Sequence, residues 1–150
     1  FEAELRPTPG AAEALRACGA RGCVATSSSP ERAHRSLAVA GLAGLVGRVF
    51  TASEVERGKP APDLFLHAAR AMGAEPARCL VIEDSGPGIV AARAAGMAVA
   101  FYAGGSHLAG GRGGGFDTDP LPEAFHDWAA LARAHPILAA ATPPARKGGP

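Results

Sequence analysis

Two adjacent carboxylates, one lysine and a run of hydroxyls are the side chains in this sequence whose placement could do chemistry. Glu83-Asp84 leaves the apolar run Cys79-Leu80-Val81-Ile82. Like charges side by side at the end of a buried strand repel each other, and the arrangement is costly unless a cation sits between or beside them. Magnesium, a hard ion that takes carboxylate, water and phosphate oxygen, suits such a pair. A solvated loop pair, or a cap for the helix that follows, would suit it too. Lys59 stands in Gly58-Lys59-Pro60-Ala61-Pro62-Asp63, where prolines stiffen the backbone before a helix opens. So mounted, its ammonium can press a point charge against a phosphate or a carboxylate, although most lysines are simply exposed. The sequence has only two lysines, Lys59 and Lys147, the other basic residues being arginine, so a lysine at a motif position is not compositional noise. Thr26-Ser27-Ser28 follows the apolar Gly22-Cys23-Val24-Ala25 and offers hydroxyl and amide hydrogens to phosphate oxygens, or else is plain loop.

The elements that must position these groups follow from punctuation and pattern. Thr8-Pro9 reads as a cap and first turn for an Ala- and Leu-rich helix that reaches Cys18 and stops on Gly19. Residues 22–26 read as a short buried strand, Ser29-Pro30 as the start of a helix through about Ala40, and residues 48–52 as a second strand. Pro62 to Met72 is helical by pattern and closes on Gly73; Cys79 to Ile82 is a buried strand. An Ala-rich helix ending at Gly96 and a strand from Ala98 to Tyr102 complete the alternation. Strands alternating with helices through short loops predict a parallel sheet covered on both faces, an α/β three-layer sandwich. In such a sheet ligands bind outside the carboxyl ends of the strands, where all three stations fall. Residues 103–115 are glycine-rich and read as loop, Leu121 to Ala134 as a last helix, and 137–150 as a disordered tail after a domain spanning 1–136.

With 150 residues the chain can bury one core. A formal net charge of +1, 47% hydrophobic and 19% charged residues give no electrostatic pull toward nucleic acid or membrane, so a small molecule is the expected partner. No apolar run is long enough to span a bilayer and no secretory signal is visible, which makes a cytoplasmic location the default expectation. Cys18, Cys23 and Cys79 form neither a C-x-x-C pair nor an even-numbered framework and are expected as free thiols.

A hydroxyl residue at a strand end, then a lysine in G-K-P-x-P-D, then E-D at a later strand end resembles, in order and spacing, the second, third and fourth motifs of the haloacid dehalogenase superfamily. Val81-Ile82-Glu83-Asp84-Ser85-Gly86-Pro87-Gly88-Ile89-Val90-Ala91-Ala92 is similar to the sugar-phosphate phosphatases and phosphomutases with a helical cap domain. The resemblance implies a Rossmann-like parallel sheet and phosphoryl transfer from a small phosphate monoester. It implies that Thr26, with Ser27 and Ser28, binds the phosphoryl group, that Lys59 steadies the charge of nucleophile and phosphate, and that Asp84 with Glu83 holds Mg2+.

The departures are as informative. The family's first motif is a buried strand ending in D-x-D, whose first aspartate attacks phosphorus, but no aspartate precedes Asp63 here. Phe1 to Pro9 resembles the family's segment just after the cap, which implies that the central first strand, both aspartates and the cap lie outside this chain. Residues 1–150 alone are therefore expected to be inactive and poorly stable. Asp117-Thr118-Asp119 has the D-x-D spacing but follows three glycines where a buried strand is required. Gly86-Pro87-Gly88-Ile89-Val90-Ala91 matches a dinucleotide-binding G-x-G-x-x-A, yet Glu83-Asp84 would repel a pyrophosphate, and no acidic residue between Asp84 and Asp117 could hold a ribose. A non-catalytic binding module of the same fold needs neither Lys59 nor the acidic pair. His107, after the Ala98–Tyr102 strand, could face the site or simply lie in an exposed loop.

Overall fold

Short apolar strands alternate with helices, three of which start at a side-chain cap. The computed structural model describes residues 5–105, 108 and 120–138. In chain order these form α1 (Ala11–Cys18), β1 (Val24–Thr26), α2 (Pro30–Val39), β2 (Val49–Thr51), α3 (Asp63–Met72), β3 (Leu80–Glu83), α4 (Gly86–Ala94), β4 (Ala98–Tyr102), β5 (Ala124–Phe125) and α5 (Trp128–Ala134), with short 3-10 turns between several of them. Ser29 caps α2 by accepting the Arg32 amide, and Ser85 caps α4 by accepting the Gly88 amide. Pro30 and Pro87 sit in the first turns, where a missing amide hydrogen costs nothing.

All described strand pairs are parallel, in two groups: β1 with β2, and β3-β4-β5. Side chains alternate between the two faces, as the pleat requires. On one face Val81 packs with Phe65 and Ala69 of α3 and Ala91 and Ala92 of α4, with Ala25 and Val99 against them. On the other, Leu80, Ile82, Ala100 and Tyr102 pack with Phe125, Leu131 of α5, Cys18 of α1 and Leu138. Helices on both faces of a parallel sheet make the three-layer α/β arrangement the sequence predicts. α3 also covers Phe50 of β2 through Leu64 and Ala68, so one helix spans both strand groups.

Backbone polarity identifies the unpaired edges. The Val24 amide donates to the Arg48 carbonyl at 3.0 Å and the Ala98 amide to the Cys79 carbonyl at 3.1 Å. Because backbone groups alternate sides along a strand, Ala25 of β1 and Leu80 and Ile82 of β3 turn their amides and carbonyls away from those partners. Among the described residues neither β1 nor β3 pairs with a strand on that side. The described strands thus form two parallel groups, each with one unpaired inner edge.

Two local readings need correction. Residues 121–134 are not one helix: Ala124 and Phe125 pair with Phe101 and Tyr102 as a fifth strand, and α5 starts only at Trp128, where the Asp127 carboxylate accepts the Ala130 amide at 2.7 Å. Thr8 does not cap α1 with its side chain. Its carbonyl accepts the Ala11 amide, and its hydroxyl accepts the Trp128 indole N–H at 2.7 Å, while Gly10, at φ 90°, occupies the cap position. A side chain at Gly10 would meet Trp128 as well as an unfavourable φ, so the sharp entry into α1 and the Trp128 contact depend on glycine. Cys18, Cys23 and Cys79 are free, as expected, and burial pushes the Cys18 and Cys23 thiols up. No helix among the described residues is long and apolar enough to cross a membrane. His107, Asp117-Thr118-Asp119 and the tail beyond Leu138 lie outside the described residues.

Candidate active site

Lys59 reaches the carboxyl ends of two strands from the loop that leads into α3. Its Nζ donates to the Ala25 carbonyl on the unpaired edge of β1 at 3.1 Å and to Glu83 Oε1 at the end of β3. It also lies 4.8 Å from the Phe65 ring centre, against the aromatic face that attracts a cation. The side chains of Lys59 and Glu83 are only 9% and 8% exposed, which makes this a buried ion pair. Removing either partner from such a pair strands the other charge in a poorly solvated place. An ammonium has three protons, and these two oxygens accept two of them.

Glu83 is held from three sides. Oε1 takes Lys59, Oε2 accepts the Ser85 hydroxyl at 2.9 Å, and α4 passes so close that a methyl on Gly88 would overlap the carboxylate. The glycine of Gly86-Pro87-Gly88 thus serves the approach of a carboxylate, which accounts for it without a dinucleotide. Asp84, the next residue, is exposed at the end of β3. Glu83 is thus buried against Lys59, while Asp84, just past the strand, is the exposed member of the pair.

Thr26 ends β1, one residue beyond the carbonyl that Lys59 takes. Its Oγ1 accepts the Ser28 amide at 3.2 Å, a local turn that leaves the hydroxyl hydrogen as a donor. Ser27 is exposed and Ser28 half-buried. Lys59 thus joins the end of β1 at Ala25, the residue before Thr26, to the end of β3 at Glu83, the residue before Asp84.

No group of three or more His, Cys, Asp and Glu side chains suited to a metal occurs among the described residues. Magnesium, however, is commonly held by one or two protein carboxylates together with phosphate and water. Asp84 with Glu83 fits that donor set: each Glu83 oxygen keeps a second lone pair beyond the hydrogen bond it accepts.

Pattern reading missed two supports of the site. Arg57 grips Asp63 with two hydrogen bonds, Nη2 to Oδ1 at 2.8 Å and Nε to Oδ2 at 3.2 Å, bracketing the lysine loop. The guanidinium holds the Asp63 carboxyl below the usual carboxylate range. Glu54 Oε1 accepts the Thr51 amide at 2.7 Å, its Oε2 lies 3.0 Å from His67 Nε2 on α3, and its carboxyl is held low chiefly by the Thr51 amide.

The haloacid dehalogenase-like hydrolase family matches residues 1–96. The chain belongs to that family. It is 47% identical over 74 residues to the fructose-1-phosphate phosphatase YqaB of Escherichia coli, covering 49% of this chain and 39% of that protein. It is 38% identical over 100 residues to the bifunctional riboflavin kinase/FMN phosphatase of Arabidopsis thaliana, covering 64% of this chain and 26% of that protein. Among solved structures, a family hydrolase from Deinococcus radiodurans with bound phosphate and sodium superposes with a TM-score of 0.70 at 36% identity, over 89% of this chain and 62% of that one. The chain thus spans well under half the length of these two curated relatives.

Proposed function

We propose that the protein containing this chain hydrolyses a small phosphate monoester, in the sugar-phosphate class, through an aspartyl-phosphate intermediate with magnesium. The observation that carries the reading is the buried Lys59, tied at once to the end of β3 and to the edge of β1 beside Thr26. A lysine is costly to bury unless its charge is used, and a phosphoryl dianion arriving at these strand ends brings oxygen acceptors of the sign that Lys59 requires.

Phosphoryl transfer calls mainly for positioning and charge neutralisation. In this reading Thr26 donates its hydroxyl hydrogen to a phosphoryl oxygen, Ser27 offers its amide and hydroxyl to the same group, and Ser28, whose amide is held by Thr26, offers its hydroxyl. Lys59 sets a fixed positive charge beside the phosphoryl group, where negative charge must be matched during transfer. Glu83 keeps that ammonium in place, Ser85 and Gly88 keep Glu83 in place, and Asp84 with Glu83 would hold magnesium. When bound, the metal would neutralise phosphoryl oxygens as a Lewis acid. The nucleophilic carboxylate, supplied by a segment outside residues 1–150, forms the bond to phosphorus as the ester P–O bond breaks, and the second carboxyl of the D-x-D pair gives its proton to the departing oxygen, so that the alcohol leaves. Water then hydrolyses the acyl phosphate and releases inorganic phosphate.

The test is a magnesium titration of the full-length protein. Asp84→Asn is expected to weaken magnesium affinity by about tenfold or more, on the loss of a charged ligand. Asp63→Asn, at the start of α3 and paired with Arg57, should weaken magnesium affinity far less. Equal affinities in the two variants would remove Asp84 from the metal site. Product analysis separates hydrolysis, which releases inorganic phosphate, from the mutase reaction, which returns an isomeric ester.

A further inference from the structure

The Arg57–Asp63 pair encloses the loop that carries Lys59. Arg57 lies two residues before the lysine and Asp63 is the first residue of α3, so the two-point contact closes a ring of chain around Gly58-Lys59-Pro60-Ala61-Pro62. Within that ring the Ala61 amide donates to the Gly58 carbonyl at 3.0 Å, a tight turn over the lysine. A fork-to-fork guanidinium–carboxylate contact fixes orientation as well as distance, which a single hydrogen bond does not. The Arg57 side chain is 67% exposed and that of Asp63 21%. An ion pair so open to water adds little to global stability, so its geometric effect is the larger one. What it orients is the stem of Lys59, whose ammonium must meet Ala25 and Glu83 at the same time. A second tie, from Glu54 to His67, holds the chain before the loop onto the same helix, so the span from 54 to 63 is fastened to α3 at both ends.

We propose that Arg57 and Asp63 are positioning residues that hold the Lys59 ammonium in register with the strand ends, so that losing either one frees Lys59 and lowers turnover without removing any group that touches the substrate. This rests on the phosphatase reading for its effect on turnover, but not for its effect on Lys59 itself.

The experiment uses the full-length protein and two readouts. In the first, a brief pulse of an amine-acylating reagent is followed by peptide mass spectrometry, with acylation of Lys59 expressed relative to Lys147. Arg57→Ala and Asp63→Asn are expected to raise relative Lys59 acylation by about tenfold through local opening, while the thermal midpoint moves little. Asp63→Glu, which keeps the carboxylate, should recover most of the protection. In the second readout, Arg57→Ala should lower kcat by about tenfold or more, since small misplacements of a charge-stabilising group act on the transition state, with KM within about twofold. Unchanged Lys59 acylation in Arg57→Ala, or a rise that merely tracks a lowered thermal midpoint, overturns the clamp. If Lys59 is freed but neither Arg57→Ala nor Lys59→Ala alters turnover, the clamp on Lys59 stands, while its catalytic consequence and the role given to Lys59 fail together.

Discussion

Gly88→Ala should destabilise the protein, although replacing glycine by alanine inside a helix ordinarily gains about 1 kcal/mol. The added methyl would overlap the Glu83 carboxylate, and two responses are open. Either α4 moves off β3, which costs about 1–3 kcal/mol as overpacking does, or Glu83 swings away and leaves Lys59 buried without its counter-charge, a loss of about 3–5 kcal/mol. After the helix-propensity gain is subtracted, the net loss is about 0–2 kcal/mol by the first route and about 2–4 kcal/mol by the second, against a typical total of about 5–15. The assay is urea unfolding of wild type, Gly88→Ala and the control Gly44→Ala, where an added methyl meets nothing within 4 Å. The control should match wild type or gain up to about 1 kcal/mol from a less flexible unfolded chain. A Gly88→Ala midpoint equal to or above the control would refute the packing of α4 against Glu83.

Two further outcomes follow from the same geometry. Lys59→Ala should raise the barrier of the full-length enzyme by about 3–4 kcal/mol in single-turnover rates, the scale of one lost charge-stabilising contact, whereas Lys147→Ala should change nothing. The Asp63 carboxyl is held low by Arg57, so its contribution to stability is complete above the ordinary aspartate pKa of about 3.9 and is lost as pH falls through the depressed folded value. The small thermal-midpoint difference between wild type and Asp63→Asn should therefore be constant near neutrality and shrink only in acid; a difference that shrinks between pH 6 and 8 would contradict this assignment.

Much of the fold was legible because its signals are local. Ser29-Pro30 marks the start of α2, Gly73 closes α3, and Ala98–Tyr102 is apolar enough to read as a buried strand without further context. The site residues stood out because the parallel sheet puts their strand ends on one side. β5 was missed because a two-residue strand has no periodicity of its own and is defined by pairing with Phe101 and Tyr102. Thr8 was misread as a cap because its competing partner, the Trp128 indole, lies 120 positions away in sequence. The Lys59–Glu83 pair was out of reach for the same reason: the sequence shows a lysine and an acidic pair, but only packing decides which carboxylate turns inward. Arg57 carried no readable signal, since one arginine among many looks like solvated surface until its fork is seen on Asp63.

The central claim is that these strand ends stabilise a phosphoryl transfer begun by a carboxylate from another segment. The most direct measurement is magnesium-dependent hydrolysis of an aryl phosphate by residues 1–150 alone, and again with a segment that carries a strand ending in D-x-D supplied. The account predicts no turnover from residues 1–150, turnover once a strand ending in D-x-D is supplied, and loss of that turnover in Lys59→Ala. Robust hydrolysis by residues 1–150 alone would contradict it and would direct the search for the nucleophile to Asp117 and Asp119.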